Sequence, residues 1–193
     1  DIKKIKNICK KNKSSIPIIA KIEKPEAMQN LEDIVTASDG ILVARGDLGV
    51  EMPIRKLPIL QKRIVNECLK QQKPVIIATQ MLETMMQNEH PTRAEVNDIA
   101  NAIYDGVDAV MLSGETAIGK FPVKSVEMMA EISNSVDEDL DVENFNRYIQ
   151  REYIKNQDQR SSICHAAMNL ANDLSIENII IMTESGQTAI KMA

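Results

Sequence analysis

Ile16-Pro17-Ile18-Ile19-Ala20-Lys21-Ile22-Glu23 is an apolar run that reads as a strand and ends in an ammonium and a carboxylate. Residues i and i+2 of a strand point to one face, so Lys21 and Glu23 stand side by side. Three further runs repeat the pattern. Gly40-Ile41-Leu42-Val43-Ala44 ends in Arg45-Gly46-Asp47-Leu48-Gly49, Val75-Ile76-Ile77-Ala78 in Thr79-Gln80, and Ala109-Val110-Met111-Leu112 in Ser113-Gly114-Glu115-Thr116. Each apolar run stops at polar, reactive residues. A parallel α/β fold gathers its chemistry at the carboxyl ends of its strands in this way.

The segments between the runs carry helical periodicity. Pro25 suits a first helical position, and Ala27, Leu31 and Ile34 follow as a buried stripe that ends at Ser38-Asp39-Gly40. Leu57, Leu60, Ile64 and Cys68 place a second helix over roughly 55–71. Thr92-Arg93-Ala94-Glu95 fits a capping box, with Val96, Ile99, Ala100 and Ile103 behind it and Gly106 as the stop. A fourth helix follows Pro122 on Val123, Val126, Ala130 and Ser133. Alternation at this spacing argues for βαβ units and a parallel sheet. Its strands are expected to be apolar on both faces, because helices cover each. Four such units are half of a (β/α)₈ barrel.

Residues 134–160 change character. Asp137-Glu138-Asp139 is acidic, and 144–159 is polar apart from a helix expected through Phe145, Tyr148 and Ile149. We read a domain boundary here, with one domain over 1–140 and an incomplete α/β domain over 141–193. In the second, a helix near Ile163 to Leu174 precedes a strand, Ile179-Ile180-Ile181-Met182, that ends in Thr183-Glu184-Ser185-Gly186-Gln187-Thr188.

Bulk properties narrow the function. A net charge of −5 gives no support for nucleic-acid or membrane binding. The lysines at 3, 4, 6, 10, 11 and 13 alternate with Ile2, Ile5 and Ile8, which reads as an amphipathic helix with a solvated face. No run is long and apolar enough for a membrane span, and no signal-peptide pattern opens the chain. Cys9, Cys68 and Cys164 are far apart and lack zinc-ligand spacing, so reduced thiols and a cytoplasmic location are expected. Cys68 continues an apolar stripe and reads as core. The helical character of the first residues suggests that a natural N-terminus lies upstream.

Glu23 and Asp47 are two carboxylates from adjacent strand ends. Oxygen-only ligation suits Mg²⁺ or Mn²⁺, held by few protein ligands plus waters and substrate oxygens. Each carboxylate could equally cap a helix or pair with a nearby Lys or Arg. Lys21, at the end of a buried strand, has to meet a countercharge or a substrate. Gly46 stands where backbone could approach a ligand; Gly49 reads as a turn glycine. Thr79 offers a hydroxyl at the next strand end, though such a hydroxyl often bonds only to backbone. Ser113 and Glu115 lie on the loop after the fourth strand in a role the sequence leaves open. Glu95 is explained as a cap. His90 and His165 have no partners that mark them as catalytic.

The order AKIE, ARGDLG, ATQML, PTRAE, MLSGETA and TESGQTA, together with IPIIAKIEKPEAM over Ile16 to Met28, resembles the pyruvate kinase family over nearly the whole chain. The resemblance implies the last four βα units of that family's catalytic barrel, followed by the start of its C-terminal α/β domain. It implies phosphoryl transfer between phosphoenolpyruvate and ADP, giving pyruvate and ATP in glycolysis. Lys21 would face the phosphoryl group in flight, Glu23 and Asp47 would hold Mg²⁺ or Mn²⁺, and Gly46, Asp47 and Thr79 would bind substrate. It also implies K⁺ held outside this segment, a homotetramer, and a subunit contact that could involve Arg93 and Glu95. In many members the loop matching 183–188 binds a phosphorylated effector. Here Glu184 and Gln187 stand where a basic residue would help, and a plain structural turn is equally open. The missing half barrel and lid imply an inactive fragment. Two other readings stay open: a metal-dependent barrel of the aldolase type acting on the pyruvate enolate, and a non-catalytic assembly piece.

Overall fold

The computed structural model describes residues 1–139, 159–176 and 178–192. The chain divides into two compact units, Asp1–Leu140 and Asp141–Ala193.

The first unit is built on four parallel strands in sequential order: β1 (Ile19–Ile22), β2 (Gly40–Ala44), β3 (Val75–Ala78) and β4 (Ala109–Met111). Lys21 lies opposite Leu42, Val43 opposite Ile77, and Ala78 opposite Met111. The registers bring all four carboxyl ends to one rim. One device sets the strand starts. Asp39 accepts the Ile18 N–H at 2.8 Å, and Asp108 accepts the Val75 N–H at 2.8 Å. In each case a carboxylate just before one strand satisfies the first free donor of its neighbour. Lys6 bonds Asp39 at 2.8 Å and ties α1 (Ile2–Lys11) to this corner.

Central and edge strands differ. Ile41, Val43, Val75 and Ile77, which share one face, are fully buried, whereas Leu42 and Ile76 on the opposite face are half-buried. Ile19 and Met111, on the edge strands, are exposed, so the large side chains are fully buried on one face of β2 and β3 only, short of the expected burial on both faces. The expected first strand is also shorter than its apolar run. It starts at Ile19, because Pro17 has no N–H for a ladder and Ile16 stands in solvent.

The helices follow the periodicity with local corrections. The one after β1 is two pieces, α2 (Pro25–Gln29) and α3 (Leu31–Ala37), which break at Asn30. They bury Leu31 as expected, with Met28 and Val35, whereas Ala27 and Ile34 are half-buried, so the stripe lies one residue on at either side of Leu31. The segment after β2, where Gly49 reads as a turn glycine, is the short helix α4 (Arg45–Glu51). A 3-10 turn over Ile54–Lys56 precedes α5 (Leu57–Gln71), which buries Leu60, Ile64, Val65 and Cys68. Burial pushes the Cys68 thiol up to about 12, so it is a packing group and not a nucleophile. In α6 (Arg93–Tyr104) both bonds of the capping box are present, and Gly106 turns the chain at φ 87°.

A short helix, α7 (Gly114–Ala117), follows β4 and leads to α8 (Pro122–Asp139). A Cβ on Gly119 would meet the Glu115 carbonyl oxygen at 2.3 Å, so only glycine fits that turn. The buried face of α8 is Ser125, Met129, Ile132 and Val136. The expected Val123, Val126 and Ala130 are exposed. Both sets have helical spacing; the stripe that meets α6 carries Met129 and Ile132, the bulkier pair. That stripe also carries the helix through Asp137–Asp139, into the stretch where the sequence turns acidic.

In the second unit, α9 (Gln159–Asp173) and α10 (Gln187–Met192) are helical. The strand expected at Ile179–Met182 is not formed: the one sheet among the described residues is β1–β4. Ile180 and Met182 are 94% and 96% exposed. A lone strand has nowhere to send its N–H and C=O groups, so apolar composition by itself does not produce one. The helix expected through Phe145, Tyr148 and Ile149 lies outside the described residues.

Candidate active site

Lys21, Glu23 and Asp47 meet at the rim. The Lys21 Nζ lies 2.6 Å from Glu23 Oε2 and 2.9 Å from Asp47 Oδ2, so one ammonium bridges two carboxylates. Lys21 and Glu23 come from the end of β1, where alternate residues share a face. Asp47 comes from the first turn of α4, which springs directly from β2. The lysine and Asp47 side chains are 51% and 60% exposed, so the site is open to a ligand. Bonds from Glu23 and then Asp47 hold the ammonium above the usual lysine range. Lys21 in turn holds Asp47 below the usual carboxylate range.

The donor set fits a hard divalent cation. It offers carboxylate oxygens, already within reach of one positive charge, with room for water. Among the described residues no group of three or more His, Cys, Asp or Glu gathers, so a cation here would take few protein ligands. Mg²⁺ is commonly held in that way.

Gly46 and Thr79 form the second part. The Gly46 N–H donates to Thr79 Oγ1 at 2.7 Å, and that hydroxyl donates to the Ala78 carbonyl at 2.6 Å. The N–H expected to face a ligand is therefore taken up within the protein. A Cβ on Gly46 would stand 3.4 Å from Thr79 Oγ1, an ordinary contact, so packing inside the protein does not demand glycine here. Thr79 has φ 69° and Gln80 φ 55°. A β-branched residue in the left-handed region is an outlier that costs about 1–3 kcal/mol and persists only where its surroundings hold it.

Arg45 was not singled out from the sequence, although it too ends an apolar run. It is only 5% exposed. Its Nη1 bonds Asp98 Oδ2 at 2.5 Å, and its Nε and Nη2 reach the carbonyls of Thr79 and Gln80. Glu115, whose role was open, is buried and accepts the N–H groups of Leu82 at 3.1 Å and Ser113 at 2.9 Å. It ties the loop after β4 to the loop after β3. Ser113 makes no contact with the Lys21 cluster among the bonds observed.

Glu95 does more than cap α6. It also accepts from the Thr84 N–H and hydroxyl at 2.8 and 2.5 Å. Burial pushes its carboxyl up, but the bonds from Thr84 and Thr92 outweigh that and leave it below the usual range. His90 is exposed, and His165 sits 3.2 Å from Asn169 as its polar neighbour. Around 183–188, the Gly186 N–H bonds the Thr183 hydroxyl at 3.1 Å, and α10 begins at Gln187. No helix among the described residues is long and apolar enough to cross a membrane.

Known proteins carry the same pattern. Residues 1–126 match the model of the pyruvate kinase barrel domain, and residues 161–193 match that of the pyruvate kinase alpha/beta domain. The pyruvate kinase of Thermotoga maritima is 44% identical over 193 residues, covering all of this chain and 40% of its own length. That of Thermococcus litoralis is 47% identical over 192 residues, covering 97% of this chain and 40% of its own. A solved pyruvate kinase from Cryptosporidium parvum superposes with a TM-score of 0.92 at 40% identity, over 99% of this chain and 40% of the other. The chain thus spans about two fifths of the length of the relatives it matches.

Proposed function

The chain belongs to the pyruvate kinase family, and from that premise we propose that it supplies half of a barrel that moves a phosphoryl group from phosphoenolpyruvate to ADP. Residues 1–140 would be the second half of the catalytic barrel, and 141–193 the opening of the C-terminal α/β domain. The observation that carries the reading is the ammonium of Lys21 held between the carboxylates of Glu23 and Asp47 at an open strand rim.

Phosphoryl transfer asks for positioning and charge neutralisation more than for covalent catalysis. Lys21 provides a fixed positive charge for the equatorial oxygens of the moving group and for the enolate left behind. Its raised pKa keeps it charged at neutral pH. Glu23 and Asp47 would hold Mg²⁺ or Mn²⁺, which supplies further neutralisation when bound. Gly46 and Thr79 would then trade partners. The N–H that now donates to the hydroxyl, and the hydroxyl that now donates to Ala78, both turn to the substrate carboxylate. Two donors satisfied by each other in the free protein are ready for an anion and leave no unpaired group before it arrives.

The nucleotide, a K⁺ ion and the lid would be handled outside this segment, and a homotetramer in the cytoplasm is the assembly we expect. Residues 1–193 alone would not turn over. The test is pyruvate formation by a complete barrel enzyme carrying this chain. We expect ATP and pyruvate from phosphoenolpyruvate and ADP only when Mg²⁺ or Mn²⁺ is present. Turnover undiminished in excess chelator would refute the assignment of Glu23 and Asp47.

A further inference from the structure

We propose that Arg45 is a positioning residue for the substrate carboxylate: its guanidinium, oriented by Asp98, holds Thr79 and Gln80 left-handed and so fixes the Thr79 hydroxyl against Gly46. The inference rests on the reading of Thr79 and Gly46 as carboxylate ligands.

The geometry is specific. Arg45 Nε donates to the Thr79 carbonyl at 3.2 Å, and Nη2 to the carbonyls of Thr79 at 3.0 Å and Gln80 at 2.8 Å. Nη2 also lies 2.9 Å from Met81 Sδ, and Nη1 bonds Asp98 at 2.5 Å. A planar fork with fixed donors thus grips the two peptide units whose φ angles are positive. Thr79 and Gln80 do not prefer that region, so something else must hold them there. The next residues, Met81 and Leu82, are fully buried and anchor the far side of the corner. On the near side the Thr79 hydroxyl meets Gly46, the residue after Arg45 itself. Arg45 therefore closes a small loop: its side chain sets the backbone of Thr79, and Thr79 meets Arg45's own neighbour in the chain. Asp98, half-buried on α6, leaves the fork only one orientation. The sequence separation of these partners hides the arrangement from local motifs.

Lysine cannot reproduce the fork, because it offers a point charge. In a complete barrel enzyme, Arg45→Lys is expected to raise KM for phosphoenolpyruvate about tenfold, with kcat and KM for ADP changed less than about threefold. A ligand-orienting group bound equally in ground and transition states gives that split. Thr79→Val should do the same, and the double variant should be no worse than Thr79→Val alone. Adding Gln80→Gly to Arg45→Lys should recover much of the loss, since glycine takes a positive φ freely. If Arg45→Lys does not fold, Asp98→Asn carries the test and should raise the same KM. Additive losses, no rescue by glycine, or equal changes in both KM values would overturn the inference while leaving the kinase reading intact. A wild-type enzyme that does not convert phosphoenolpyruvate and ADP would overturn both.

Discussion

Lys21 touches two carboxylates at once, and this has consequences for titration. Its pKa is raised first by Glu23 and then by Asp47, while that of Asp47 is lowered by Lys21. A raised lysine contributes stability that is present below its unfolded pKa and fades as pH rises through the folded one. A lowered aspartate contributes stability that is present above its unfolded pKa and fades as pH falls through the folded one. The cluster is therefore intact across neutral pH and fails at both ends. NMR titration should place Lys21 above ordinary lysines, and Glu23→Gln should bring it down further than Asp47→Asn does. An unmoved Lys21 in both variants would mean that the bridge does not exist in solution. The same two substitutions should each weaken Mn²⁺ binding by about tenfold or more, as loss of one of few carboxylate ligands does. Paramagnetic relaxation measures this, and wild-type affinity in both variants would remove them as ligands.

At the scale of elements, α6 is held by Glu95, which bonds Thr92 in its cap and Thr84 in the preceding turn. Thr92→Ala should cost about 1 kcal/mol in chemical denaturation, as lost caps do. Because the Glu95 pKa is lowered, its contribution is present above the usual glutamate range and is lost as pH falls through the lowered folded value. Glu95→Gln should flatten that acid limb of the stability curve. An equally steep limb in the variant would assign it to other acids. The elements show what sequence could and could not reveal. The four strand ends were legible because a parallel sheet puts apolar runs inside and polar residues at their ends. The capping box was legible because both partners lie within four residues. The pairing of Arg45 with Asp98 and the bond from Leu82 to Glu115 were not, since those partners are far apart in sequence. The left-handed pair Thr79-Gln80 was hidden because neither residue type asks for that conformation. Helical spacing marks Val123 and Val126 as readily as the buried stripe, because it does not say which of two stripes meets a neighbour. Ile179–Met182 has strand composition, but pairing is a property of the sheet and not of the segment.

For the whole molecule, the described sheet has two outer strands, β1 and β4, with free edges and exposed Ile19 and Met111. Val123 and Val126 add apolar surface on α8. Unpaired edges with apolar neighbours invite association. Residues 1–193 by themselves should therefore form oligomers or aggregates by light scattering and show no pyruvate formation; a monodisperse monomer with robust turnover would show that this half carries a complete site. In the proposed reaction Lys21 acts on the phosphoryl group in the transition state. The most direct measurement is Lys21→Met in a complete barrel enzyme carrying this chain, with kcat and phosphoenolpyruvate binding read together. A charge used mainly in the transition state should cost about 10²–10³ in kcat and leave substrate binding largely unchanged. A variant that keeps kcat within a few-fold of wild type would reduce Lys21 to a structural partner of Glu23 and Asp47.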